Sequence, residues 1–296
     1  MTQDNLAYVP EHILKFLHSD MTGEVLHAGS SGIYLQFGQQ IFLLSDESWG
    51  ILPIGIGIQR FEDVNRSLRL QPGYSVHVRY NRMCFPTGSL LLLPAKADFA
   101  EFDDAAPQFA RVRQAALELA ALRREWGISM LVQPLVLESP PQLQTPYFVH
   151  AGIHLEKLMS ALIRNNPEEI RASLGTLLGL GLGLTPSADD VLLGMLYVFR
   201  KLPRKCPASA HFFQEQILQM CGDRTNKISA AYLKAIINGA PFERMEMVFR
   251  GICGEQPLDI QLLTRIGSSS GTEMLLGMLI ALRICGYAVN MREELP

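Results

Sequence analysis

The amino-acid sequence predicts an α+β fold, in which a small β-barrel or sandwich-like domain precedes a mostly α-helical domain. Residues 23–94 consist of short β-branched or aromatic runs broken by Gly, Pro, Asn and Asp, which is typical of strands and turns. After residue 103 the apolar residues recur at helical spacing instead. A helical segment also occurs twice in the second half. We therefore predict a β-rich domain over 1–104 and a helical domain over 105–296.

The first domain contains several candidate strands. They are the runs GEVLHAG, GIYLQFG, QIFLLS, YSVHVRY and SLLLLP. The glycines of ILPIGIGI indicate a bulge or turn, and QPG before Tyr74 indicates a turn. Many short strands separated by such turns favour a barrel or a sandwich.

The second domain reads as a succession of helices. In 107–126, Phe109, Val112, Ala116 and Leu119 recur at helical spacing with charged residues between them. The same pattern predicts further helices at 153–165, 167–178, 189–201, 208–221, 227–238, 242–251, 257–265 and 272–285. PLVLESPPQLQTP is a proline-rich connector within this half.

Two 14-residue segments, SADDVLLGMLYVFR (187–200) and SGTEMLLGMLIALR (270–283), align without gaps and agree at seven positions. Beyond their first four residues both segments are apolar on every face, which predicts helices in the middle of a domain. Gly194 and Gly277 occupy the same position in the two copies, although glycine costs about 1 kcal/mol relative to alanine in a helix. We expect the two helices to be related by an approximate two-fold and to meet near these glycines.

Each copy begins with a possible capping box. Ser187 with Asp190, and Ser270 with Glu273, fit the Ser-x-x-acid pattern that satisfies free amides at a helix start. Asp189 is not part of a capping box. It is either a favourable charge in the first helical turn, a hydrogen-bond acceptor for a substrate, or a Mg2+ ligand. Asp189 and Asp190 are the candidate catalytic residues.

A glycine-rich segment precedes each copy and predicts an anion site. GLGLGLTP lacks the Lys of a Walker loop and follows no clear strand, so neither nucleotide-binding motif fits. Glycine-rich helix starts offer amides and positive potential to phosphate or carboxylate. The predicted binding residues are Gly181, Gly183, Thr185 and Ser187 in the first copy and Ser269, Ser270 and Gly271 in the second. The alternative is a tight turn that only joins two helices.

Between the copies, Thr225, Ser229 and Tyr232 are spaced four and three apart and would share one helix face. These hydroxyls either line the same pocket as the glycine-rich turns or form a solvated face.

Composition narrows the function classes. The net charge is −3 and no segment concentrates Lys and Arg, so we expect no nucleic-acid partner. The most apolar runs have nine residues, against the roughly 20 of a membrane span, and the N-terminus lacks a secretory pattern, so we expect a cytoplasmic protein. Five cysteines without a C-x-x-C pair indicate reduced core residues. With 48% hydrophobic and 19% charged residues, the chain is apolar enough to bury further surface against a partner.

The motifs resemble those of the AllH-type family, which is encoded beside genes for allantoin-derived purine catabolism. The similar segments are GLGLTPSADDVLLGML, TNKISAAYLKAIINGAPF and IGSSSGTEMLLGML. The chain departs from the family pattern at Leu182, where proline is frequent, and at Glu273, where the acid is displaced by one residue.

The resemblance implies a subunit of oxamate carbamoyltransferase that works with two other, dissimilar subunits. That enzyme interconverts oxalurate plus phosphate with oxamate plus carbamoyl phosphate. The partners expected from the resemblance are therefore two protein subunits and a small anion: phosphate, oxalurate or oxamate. The sequence identifies no definite cofactor, and Mg2+ is the one alternative left open. A non-catalytic structural subunit and a stand-alone anion-binding enzyme are the competing interpretations.

Overall fold

The computed structural model describes residues 5–95, 106–122, 127–140 and 145–287. The chain divides into two compact units. The first comprises residues 1–101 together with 240–244, and the second comprises 102–239 together with 245–296. The boundary predicted near residue 104 lies outside the described residues.

The first unit is a closed β-barrel of eight strands in the described part of the chain. They are β1 (Asn5–Val9), β2 (Thr22–Ala28), β3 (Ile33–Phe37), β4 (Gln40–Asp46), β5 (Gly55–Ile58), β6 (Ser75–Arg79), β7 (Arg82–Phe85) and β8 (Gly88–Pro94). Their order around the barrel is β1-β5-β4-β3-β2-β6-β7-β8. The parallel pairing of β8 with β1 closes the barrel, and β4 with β5 is also parallel. Of the two predicted architectures, the barrel is therefore the one observed.

Period-two alternation explains why these segments form a barrel. In β3, Ile33, Leu35 and Phe37 are buried while the two residues between them are more exposed. The buried residues of the strands form one core that fills the barrel. Two short helices lie among the strands, α1 (Glu11–Leu14) and α2 (Phe61–Leu68). The apolar face of α2 completes the core.

The second unit is helical. In chain order it contains α3 (Phe109–Ala121), α4 (Val132–Leu135), α5 (Pro146–Ile163), α6 (Pro167–Leu177), α7 (Ser187–Lys201), α8 (Ser209–Arg224), α9 (Lys227–Ile237), α10 (Glu243–Cys253, which begins in the first unit), α11 (Gln261–Thr264) and α12 (Ser270–Ile284). After residue 150, none of the described residues forms a strand. None of the described helices combines the length and the hydropathy that a membrane crossing requires.

Helices α7 and α12 form the centre of this unit. Every residue from Ser187 to Phe199 and from Gly271 to Leu282 is buried. A Cβ atom added to Gly194 would lie 2.0 Å from the Met274 carbonyl oxygen, and one added to Gly277 would lie 1.9 Å from that of Val191. The predicted burial of both helices and their close approach at the two glycines are thus confirmed.

Two predicted helices differ in extent from the observed ones. The helix expected from residue 153 begins at Pro146, because Thr145 caps it by accepting a hydrogen bond from the Phe148 amide at 3.2 Å. The helix predicted over 257–265 is reduced to α11, which begins where the Asp259 carboxylate accepts a hydrogen bond from the Gln261 amide at 2.9 Å. Local capping, rather than apolar spacing, decides both starts.

Candidate functional site

The buried carboxylate of Asp189 collects three hydrogen bonds within the second unit. Its Oδ1 atom accepts from the Gly179 amide at 2.8 Å, and its Oδ2 atom accepts from the hydroxyls of Ser229, at 2.6 Å, and Thr225. Burial raises the pKa of Asp189, while these hydrogen bonds oppose the shift. Both oxygens of Asp189 are thus hydrogen-bonded by the chain itself. Asp189 joins the glycine-rich turn to Thr225, just before α9, and to Ser229, in the first turn of α9.

The prediction that Thr225, Ser229 and Tyr232 share one helix face is wrong for Thr225. Thr225 lies before the helix in extended conformation, because Asn226 caps α9 by accepting from the Ile228 and Ser229 amides at 3.0 Å each. Thr225 and Ser229 nevertheless converge on Asp189. Tyr232 lies on α9 and is buried.

The capping boxes predicted at both motif copies are also wrong. The N-cap of α7 is Pro186, whose carbonyl oxygen accepts from the amides of Asp189 and Asp190 at 2.9 and 3.2 Å. The N-cap of α12 is Ser269, and neither helix has a side-chain cap. Each helix therefore starts one residue earlier than the pattern implied. Asp190 and Glu273 are left free for other contacts.

Asp190 lies between the two helix starts. It is 1% exposed, and the hydroxyls of Ser270 and Thr185 hydrogen-bond its carboxyl group. The Oγ1 atom of Thr185 and the Oγ atom of Ser270 are themselves 3.0 Å apart. The Oδ2 atom of Asp190 has no hydrogen-bond partner among the described residues. Burial, and then the neighbouring charge of Glu273, raise the pKa of Asp190 well above its usual range.

Glu273 occupies the equivalent place on α12 and is fully buried. Its Oε1 atom accepts from the Ile128 amide at 3.1 Å and its Oε2 atom from the Ser269 hydroxyl at 3.0 Å. The Ser187 hydroxyl also hydrogen-bonds this carboxyl group. Burial raises the pKa of Glu273. Two buried carboxyl groups, one from each motif copy, thus meet at the paired helix starts.

Tyr147, from the first turn of α5, reaches the same place. A Cβ atom added to Gly181 would lie 3.0 Å from its hydroxyl oxygen and 2.3 Å from the Ser187 amide nitrogen. Burial raises the pKa of Tyr147, and the Ser187 hydroxyl is close enough to oppose that shift. Within the described ranges, however, no hydrogen bond of good geometry reaches the buried Tyr147 hydroxyl. A glycine is needed at 181 because any side chain there would collide with the helix start.

Some amides at the helix starts are already engaged. The Ala188 amide donates to the Leu180 carbonyl at 3.0 Å, and the Gly271 amide, at the same motif position, donates to the Ile266 carbonyl at 3.0 Å. Gly183 has a positive φ of 93° and open space around it. It therefore lies at the exposed tip of the turn, whereas Gly181 lies at its base.

The structure gathers most of the predicted residues into two neighbouring groups. The Asp189 group contains Gly179, Thr225 and Ser229. The Asp190 group contains Thr185, Ser187, Ser269, Ser270 and Glu273. No sequence pattern pointed to Tyr147 or Ile128, because both precede the first motif copy by more than one helix.

Two further features of the molecule bear on this site. Within the described ranges, no three His, Cys, Asp or Glu side chains are arranged to hold a metal ion. An open cavity of about 560 Å3 lies in the first unit, lined by residues that include Tyr8, Glu47 and Glu243. It contains none of the predicted site residues.

Residues 177–282 match the family model described as oxamate carbamoyltransferase subunit AllH. The resemblance to the AllH family is confirmed over these residues. The AllH match begins just before the Gly179 turn and ends within α12, so it includes both motif copies and both groups of site residues. Tyr147, Ile128 and nearly all of the barrel unit lie outside it. No solved structure matches the chain significantly.

Proposed function

We propose that this chain is a subunit of an oxamate carbamoyltransferase-type enzyme and binds a small anionic substrate at the starts of α7 and α12. The AllH match supports the enzyme class. The observation that carries the site is the buried Oδ2 atom of Asp190, which has no hydrogen-bond partner among the described residues. The buried Tyr147 hydroxyl adds to it, because this hydroxyl is near that of Ser187 but forms no hydrogen bond of good geometry within the described ranges. An unmade hydrogen bond of this kind costs about 1–3 kcal/mol, so native proteins rarely tolerate one without a functional reason.

Three buried carboxyl groups, those of Asp189, Asp190 and Glu273, lie at this place and, if ionised, would repel an anion. Burial, however, raises the pKa of all three groups, and it raises that of Asp190 well above its usual range. The neutral form of Asp190 is therefore favoured, and a neutral carboxyl group can donate a hydrogen bond instead of repelling an anion. The two helix starts add positive potential, worth about 0.3–1 kcal/mol per nearby charge.

The proposed roles divide between the two aspartates. Asp189 positions the glycine-rich turn through its three internal hydrogen bonds. Protonated Asp190 and Tyr147 donate to the oxygens of the substrate, where the Thr185 and Ser270 hydroxyls are also close. Such donors stabilise the oxyanion that develops when phosphate attacks the carbamoyl carbon of oxalurate and the bond from that carbon to the oxamate nitrogen breaks.

The repeated motif is part of the proposal. Gly194 contacts Met274, and Gly277 contacts Val191, and each contact joins the eighth residue of one copy to the fifth of the other. This reciprocity supports an approximate two-fold between α7 and α12. We further propose that the chain works with two dissimilar partner subunits, is located in the cytoplasm and takes part in allantoin-derived nitrogen catabolism.

A specific observation favours the competing interpretation, a structural subunit. The Thr185–Ser270 hydrogen bond and the internally bonded amides of Ala188 and Gly271 join the two turns without any ligand. In that case the glycine-rich turns only pack α7 against α12, and the complex binds its substrate on another subunit.

The test is phosphate-dependent cleavage of oxalurate by the complex obtained by co-expressing this chain with the products of its neighbouring genes. We expect Tyr147→Phe and Asp190→Asn to reduce kcat/KM by about 10- to 150-fold, since a hydrogen bond to a charged group contributes about 1.5–3 kcal/mol. Tyr80→Phe is the matched control, because Tyr80 is 90% exposed in the barrel unit. Wild-type rates for both site variants in an intact complex would favour the structural subunit.

A further inference from the structure

Two cysteines from distant parts of the chain are in contact. The Sγ atoms of Cys206 and Cys285 are 3.3 Å apart, although 79 residues separate them in sequence. Cys206 lies in the turn after α7 and is half-buried, and Cys285 is the C-cap of α12 and is 7% exposed. A disulfide requires a sulfur–sulfur distance of about 2.05 Å, so the two atoms need to approach by only about 1.2 Å.

We propose that Cys206 and Cys285 form a reversible disulfide when the chain meets a low-molecular-weight disulfide, which makes them a redox modification site. The Cys206 thiolate attacks one sulfur of the external disulfide and releases one thiol. The Cys285 sulfur then attacks the Cys206 sulfur of the mixed disulfide and releases the second thiol. The chain loses two electrons and two protons, and the external disulfide gains them as two thiols.

The order of attack follows from exposure and from the contact itself. Cys206 is the more accessible of the two and lies in a turn rather than in a helix. The pKa of Cys285 is raised, first by its hydrogen bond with Cys206 and then by burial. Once Cys206 is in the mixed disulfide, the first of these causes is gone. Cys285 is then better able to act as the second, resolving thiol.

The position of the pair gives the modification a structural consequence. Cys206 follows the C-terminal end of α7 and Cys285 ends α12, while the N-terminal ends of the same helices carry the candidate anion site. A disulfide would therefore tie together the two helices on which that site is built. The inference itself does not depend on the proposed function, since it concerns the thiols alone.

The experiment treats the folded full-length chain with oxidised glutathione, blocks the remaining thiols with N-ethylmaleimide in denaturant, and maps tryptic peptides by mass spectrometry. We expect two of the five thiols to be lost and peptide 206–224 to be linked to peptide 284–292. Reduction with dithiothreitol should restore all five. Peptide 206–224 also contains Cys221, so Cys221→Ala is the matched control and should keep the link, whereas Cys206→Ser should lose it.

Three results would overturn the proposal: a link that survives in Cys206→Ser, glutathione retained on Cys206 without a link, or five free thiols after oxidation. Fragment ions of the wild-type peptide pair distinguish Cys206 from Cys221 directly. The wild-type protein alone therefore shows which cysteine is linked, even if one variant fails to fold.

Discussion

Replacing Gly194 with alanine tests the packing on which the helical unit is built. The added Cβ atom would lie 2.0 Å from the Met274 carbonyl oxygen, whereas carbon–oxygen contacts are usually about 3.3 Å, so α7 and α12 must separate by about 1.3 Å. Overpacking costs roughly 1–3 kcal/mol, and backbone on both sides favours the upper end of that range. Because alanine has a higher helix propensity than glycine, it stabilises the helix by about 1 kcal/mol, so the free energy of unfolding should fall by about 2 kcal/mol in total.

Thermal unfolding followed by circular dichroism at the helical band measures this effect. A loss of about 2 kcal/mol should lower Tm by about 4–8 °C in a domain of this size. Gly222→Ala in α8 is the matched control, because nothing lies within 4 Å of the added Cβ atom there. That control should raise stability by about 0.5–1 kcal/mol. If Gly194→Ala were as stable as the control, the close approach of the two helices would be refuted.

Three further predictions concern the buried charges. Burial raises the pKa of Asp190, so the folded chain binds more protons than the unfolded chain above about pH 4, and its free energy of unfolding falls as pH rises. Asp190→Asn removes this dependence. Urea unfolding should show that the free energy of unfolding of the variant, relative to the wild type, is higher at pH 8 than at pH 5. An equal difference at the two pH values would contradict the prediction. The Nζ atom of Lys201 lies 2.7 Å from Glu246 Oε2, with both side chains at most 5% exposed. Lys201→Met should therefore cost about 3–5 kcal/mol in urea unfolding, and adding Glu246→Leu should recover part of that loss; a further loss would argue against the pair. Asp189→Asn should cost about 1–3 kcal/mol and increase hydrogen exchange at the Gly179 amide, and unchanged exchange there would show that the turn does not depend on Asp189.

Local sequence patterns were sufficient to predict the strands and helices but not the residues at which the helices begin. The alternation in Ile33, Leu35 and Phe37 predicted a strand with one buried face, and the structure has it. The Ser-x-x-acid patterns failed, because a capping box also requires the serine to be the last non-helical residue. Pro186 and Ser269 take that position instead. The carboxyl groups of Asp190 and Glu273 each have, besides one nearby partner, a partner far away in sequence: Ser270 for Asp190 and Ile128 for Glu273.

The sequence by itself determined the two-part architecture, the repeated buried helices and the position of the glycine-rich turns. These features depend on the spacing of apolar residues and on glycine, which act within a few residues along the chain. Only the tertiary structure decided that Asp189 is held by Thr225 and Ser229, that Tyr147 reaches the start of α7, and that Cys206 contacts Cys285. Each of these contacts joins residues more than 30 positions apart, and their approach follows from the packing of whole helices, which no local pattern encodes.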